Sequence, residues 1–122
     1  MIASVQLAHG PLLVHQLLNA NQRTHWRVKA ERTRFWRRLA AARFRGFPPI
    51  DGRVRIEVWI SWPDQRIRDV GNWAPTAKAI VDGMVQDAKV LPDDNDRFVL
   101  GPDMRSGYGP HEVRVVLTRA VP

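Results

Sequence analysis

The carboxylates of this chain are unevenly placed, and chemistry would start from their spacing. Asp69 follows Arg66 and Arg68 in a polar stretch, and Asp93, Asp94 and Asp96 crowd together further on. Between these groups Lys78 and Asp82 stand four residues apart, which puts two side chains on one face of a helix. Hard divalent cations such as Mg²⁺ take oxygen ligands, carboxylates completed by water. A cation held this way activates water and neutralises charge on a phosphate. A lysine beside it can steady the developing charge or help activate the water. Each group also has a plainer reading. Asp93-Asp94-Asn95-Asp96 after Pro92 is an ordinary turn composition. Lys78 and Asp82 can be a simple helix ion pair, and Asp69 can pair with a neighbouring arginine at the surface. Several chemistries are excluded. The chain has no cysteine, which removes disulfides, zinc-thiolate sites, iron–sulfur clusters and cysteine nucleophiles. His9, His15, His25 and His111 lack zinc-ligand spacing, and no glycine-rich phosphate loop or Ser-His-Asp signature occurs.

The charge around these acids sets the second constraint. Of 122 residues, 19 are Lys or Arg and 12 are Asp or Glu, a formal +7. A small basic domain points to a polyanionic partner, nucleic acid first. Sixteen of the nineteen cations are arginine, whose fork pairs with phosphate oxygens bidentately. A GC-rich genome would give the same bias, so composition leaves both readings open. From Arg23 to Arg45 there are nine basic residues and one acid, Glu31, whereas eight of the twelve acids fall between Asp64 and Asp103. Carboxylates in a protein that binds polyanions repel them unless a metal bridges the two, which favours the metal reading.

These groups must be positioned by a single domain spanning 1–122. Residues 1–18 read as one or two short extended segments broken at Gly10-Pro11, followed by the polar connector Asn19–Gln22. A helix is expected over about 26–45, with Val28, Phe35, Trp36, Leu39, Ala40 and Ala42 on one side. On that helix Arg27, Arg34, Arg38 and Arg45 lie within roughly 20° of one line. The stripe is either a solvated outer face or a DNA-backbone contact, and His25 reads as a core or capping histidine. Residues 53–61 alternate cleanly and predict a strand. A loop over Gln65–Gly71, a helix over 75–87, an acidic turn, a short strand at 97–100, a loop from Gly101 to Pro110 and a closing strand at 112–119 complete the order. The order β, α, β, α, β, β implies an α+β domain, one mixed sheet with helices packed on it. No window approaches eighteen uncharged apolar residues, and no basic stretch precedes an apolar run at the start, so no membrane span or signal peptide is expected and the protein reads as cytoplasmic.

With these residues in place, the chain resembles the RusA family of Holliday junction resolvases, small endonucleases common in phages and prophages. The resemblance covers about Leu17 to Thr118. It rests on Arg66-Ile-Arg-Asp69-Val-Gly-Asn72, then Thr76-Ala-Lys78-Ala-Ile-Val-Asp82-Gly, then Leu91-Pro-Asp93-Asp94. Asn19-Ala-Asn21-Gln-Arg23-Thr-His25-Trp26 is similar to the family's segment after its first strand. The family implies a homodimer that cuts branched DNA, a four-way junction, with Mg²⁺ or Mn²⁺ and no small-molecule cofactor. Two symmetric nicks need two sites, hence two copies. Carried over by position, Asp69 matches the first metal aspartate, Asp94 with Asp93 the later acidic pair, Lys78 the helix lysine and Asp82 the helix aspartate. Arg66, Arg68, Arg23, His25 and the stripe Arg27, Arg34, Arg38, Arg45 would hold DNA. The family's second loop aspartate falls on Gly71 here, so Asn72 or Asp82 would complete the metal shell. The alternative is a module that binds junctions and cuts them weakly or not at all.

Overall fold

The computed structural model describes residues 1–120. Its organising element is strand β2 (Val54–Trp62), where Val54, Ile56, Val58, Ile60 and Trp62 are buried in strict alternation with less buried residues. Period-two alternation places one whole set of side chains on the covered face of a sheet. Strand β4 (Glu112–Arg119) runs antiparallel along one side of β2, and strand β3 (Val99–Tyr108) runs parallel along the other. Strand β1 (Ala3–His9) pairs antiparallel with β4, giving the order β1-β4-β2-β3. The sheet is therefore mixed, as the element order implies. Val113, Val115 and Leu117 of β4 continue the apolar face of β2, while Arg55, Glu57, Trp59, Arg105, Glu112 and Arg114 belong to the opposite, open face.

Helices α1 (Trp26–Phe44) and α2 (Ala74–Asp82) cover the apolar face. Trp36, Ala40 and Phe44 face inward from α1, at the four-residue spacing of one helix side. The indole N–H of Trp36 donates to the Gln16 carbonyl at 2.7 Å, which satisfies the one polar atom of an otherwise sealed side chain. Val28 and Ala42, expected on the inner side, are exposed, because the contact stripe runs along the 36-40-44 row. Helices α1 and α2 meet closely. A side chain at Gly83 would run into the Arg37 carbonyl, so only glycine lets the chain pass under α1 there. Among the described residues no helix is long and apolar enough to cross a membrane.

Of the one or two extended segments expected in residues 1–18 the structure forms one, followed by a short 3₁₀ turn at Leu13–His15. Two expectations change. The second helix keeps α geometry only to Asp82 and widens into a π turn over Gly83–Asp87, next to the tight crossing at Arg37. The expected loop from Gly101 is mostly strand, since β3 continues to Tyr108. Gly101 and Pro102 together oppose the single residue Ile56, a bulge, which is where a sheet tolerates a proline that has no N–H to give the ladder.

Candidate functional site

Lys78 is the meeting point of the acids. Its Nζ donates to Asp82 Oδ1 at 3.0 Å, one turn along α2, and to Asp94 Oδ2 at 2.7 Å, from the turn that follows. The helix supplies the first partner by spacing alone. The second arrives because the β2–α2–β3 crossover returns the 93–96 turn to the side of α2. The position of Lys78 is fixed from within. Thr76, fully buried two residues earlier, accepts from Leu18 N at 2.8 Å and donates to Leu18 O at 3.0 Å, tying α2 to the connector. The hydrogen bonds to Asp94 and then Asp82 hold the Lys78 ammonium above its ordinary pKa. The same Lys78 bond is the main cause that holds the Asp94 carboxyl below the usual carboxylate range.

Asp93 takes a different role from Asp94. Its Oδ1 accepts from Asp94 N at 2.7 Å and its Oδ2 from the Asn95 amide at 3.1 Å, so it shapes the turn that presents Asp94. Asp69 caps a 3₁₀ turn over Val70–Trp73, accepting from Gly71 N at 3.2 Å. Asn72 N donates to Asp69 O at 3.0 Å, and Asn72 O accepts from Ala20 N at 2.7 Å, which joins this loop to the connector before α1. Asp82 and Asp94 thus share one cation, while Asp69, Asp93 and Asn72 make no hydrogen bond to Lys78. Among the described residues no three His, Asp or Glu side chains gather to hold a metal ion. Asp82 and Asp94 are both reached by water, and each is already bound by the Lys78 ammonium between them.

The arginines separate into tied and untied sets. Arg68 forms a two-point ion pair with Asp64, at 2.9 and 3.1 Å, and its guanidinium lies 4.0 Å from the Trp62 ring centre. That pair, helped by Arg66 N, pulls the Asp64 carboxyl down to about 2. The Arg68 fork is therefore engaged inside the molecule, whereas Arg66 is exposed and has no acidic partner among the described residues. Ile67 between them is fully exposed. Arg27, Arg34 and Arg38 on α1, and Arg45 in extended backbone just past its end, are all exposed. Of the nine cations from Arg23 to Arg45, only Arg37 has a carboxylate partner among the described residues, Asp87 at 3.1 Å. Open grooves of about 470 and 410 Å³ lie along this helix, both lined by Arg34 and Arg38. His25 is the N-cap of α1, its Nδ1 accepting from Arg27 N at 3.1 Å, so the capping reading holds.

Two residues to which the sequence assigns no site role belong to this surface. Asp64 fixes Arg68, and its spacing of four from Arg68 was the available signal. Trp26 stands exposed at the first position of α1 among unpaired cations, a placement that alternation and helical spacing do not reveal. No protein-family model matches the chain, and the comparison with curated proteins returns no match.

Proposed function

We propose that this chain is a divalent-metal-dependent endonuclease that acts on branched DNA, a four-way junction above all, as a homodimer in the cytoplasm. The observation that carries this reading is the pairing of Asp82 and Asp94 through Lys78 beside a helix whose cations, Arg37 apart, lack acidic partners among the described residues. Asp94 and Asp82 would hold Mg²⁺ or Mn²⁺, and the resemblance carries Asp69 over as a further ligand. The bound ion would supply an activated water and offset charge on the scissile phosphate. Lys78 presents a positive charge to that phosphate, and the exposed arginines of α1 with Arg66 bind the backbone on either side. Asp93 keeps Asp94 facing Lys78 through the turn. The resemblance to the RusA family supports the same assignment.

A second reading, junction binding with weak or no cutting, draws support from one observation. The carboxylates do not gather in a group of three, and position 71 of the loop is glycine. The test is a nicking assay on a synthetic four-way junction with Mg²⁺, Mn²⁺ or chelator. Wild type is expected to cut with metal only. Asp94→Asn should lower the rate by about a hundredfold or more, as expected when a metal ligand is lost, and leave junction binding intact. Gly71→Asp, whose Cβ would lie 3.4 Å from Asp69 Oδ1, should raise the rate. Junction binding without cutting under either metal would establish the second reading.

A further inference from the structure

Two tryptophans meet the same kinds of partner with opposite results. Around Trp62 the Arg68 guanidinium lies 4.0 Å from the ring centre and the His111 ring 4.4 Å away, and the indole is only 7% exposed. That is a filled stack. Around Trp26 the Arg27 guanidinium lies at 5.3 Å and the His25 ring at 5.7 Å, tilted by 27°, and the indole is 68% exposed. The second arrangement has the components of the first with room left in it. Leaving so large an apolar side chain in water forgoes the gain of burying it.

The backbone that carries the ring is nevertheless fixed. Trp26 opens α1, and its neighbour His25 is fixed as the helix cap by the bond from Arg27 N. Arg23 and Arg27 are exposed on either side and have no carboxylate partner among the described residues. The bond from Ala20 N to Asn72 O places this end of α1 next to the loop of Asp69.

We infer that Trp26, backed by His25 and flanked by Arg23 and Arg27, is a stacking platform for an unpaired nucleobase. This rests on the branched-DNA reading and deepens it. A duplex keeps its bases stacked inside and offers this surface only phosphates. A branch point or single strand offers free base faces, which stack on aromatic rings whatever the sequence. Cations beside the ring then hold the adjoining phosphates.

The experiment uses the full chain, with an oligothymidylate, a duplex of equal length and a four-way junction as probes, read by fluorescence anisotropy. Trp26→Ala should weaken oligothymidylate binding by about five- to a hundredfold, and duplex binding by less than about twofold. Trp26→Phe should retain most of the single-strand affinity. It should also lose part of the tryptophan quenching that oligothymidylate causes in wild type. Equal losses on duplex and single strand, or none on either, overturn the platform. So does a Trp26→Ala change that alters sedimentation of the chain and not DNA binding, which would assign the ring to a protein contact. Wild type that binds none of the probes removes the branched-DNA reading itself. Wild type that binds all three while Trp26→Ala changes nothing removes only the platform.

Discussion

Helix α1 and the open face of the sheet both carry arginines, and they treat them in opposite ways. On the sheet, Arg55 pairs with Asp103 at 3.1 Å, Arg105 with Glu57 at 3.1 Å and Arg114 with Glu112 at 3.2 Å. Asp103 lies opposite Glu57 and Arg105 opposite Trp59, so Arg55 and Glu57 of β2 reach diagonally to their partners on β3, and Arg114 reaches Glu112 two residues back along β4. Burial would raise the Glu112 carboxyl, yet hydrogen bonds from Arg114 and Gln6 outweigh it and hold it low. From Arg23 to Arg45, the segment that contains α1, eight of nine cations lack such a partner among the described residues. Outside the segment Arg23–Arg45 the chain holds ten basic and eleven acidic residues, so the net charge of the molecule resides on that one segment. Paired charge organises the protein's own surface. Unpaired charge gathered on one element leaves its field for a partner.

If that contrast is right, substitutions on the two surfaces should separate cleanly. The largest effect belongs to α1. Arg34→Ala with Arg38→Ala should weaken DNA binding by roughly tenfold or more near 0.1 M salt and reduce the salt slope by about two. Thermal stability should hardly change, because both side chains are exposed. An unchanged slope in a salt titration would make the stripe a solvated face and erase the difference between the surfaces. A smaller effect is expected on the sheet. Glu57→Gln removes the closer of the two carboxylates beside Arg105, leaving Asp103 at 3.9 Å, and raises the net charge by one, at a cost below about 1 kcal/mol of stability. Denaturant melts should show that cost, and the salt slope for DNA should stay where it was. A steeper slope would mean that a freed sheet arginine also reaches DNA.

The order of elements was legible because β2, β4 and α1 each keep their period over eight or more residues. Strand β3 was not, because Gly101, Pro102 and Gly107 have the composition of a loop. Its ladder bonds come from β2, a neighbour that only the folded topology supplies. The Lys78–Asp82 half of the candidate site follows from helical spacing. The Asp94 half depends on where the crossover returns, and no local pattern encodes that. Asp93 and Asp94 are adjacent and chemically identical, so sequence could not divide them into a turn former and a partner of Lys78. Arg68 shows the converse, since its place beside Arg66 suggested a phosphate contact, and the fold instead closes it against Trp62 and Asp64.

Arg68 therefore supplies the finest test, because it lies near the candidate site and yet belongs with the paired set. Its bonds to Asp64 lower that carboxyl from 3.8 to about 2. A carboxyl whose folded pKa is depressed stabilises the fold above its unfolded pKa and loses that contribution as pH falls through the folded one. The Arg68–Asp64 contribution should be complete above about pH 4 and vanish toward pH 2. In Arg68→Met the Asp64 carboxyl should titrate higher, toward its ordinary value, with the bond from Arg66 N still lowering it, seen by carbon-detected NMR. The stability difference from wild type should then be constant near neutrality and close as pH falls through that window. DNA affinity should change by less than about twofold, in contrast to the α1 pair, since the guanidinium is committed to an internal stack and a two-point ion pair. A tenfold loss of DNA binding in Arg68→Met would show that this arginine turns outward to phosphate, and the line between tied and untied cations would have to be redrawn through the loop that precedes Asp69.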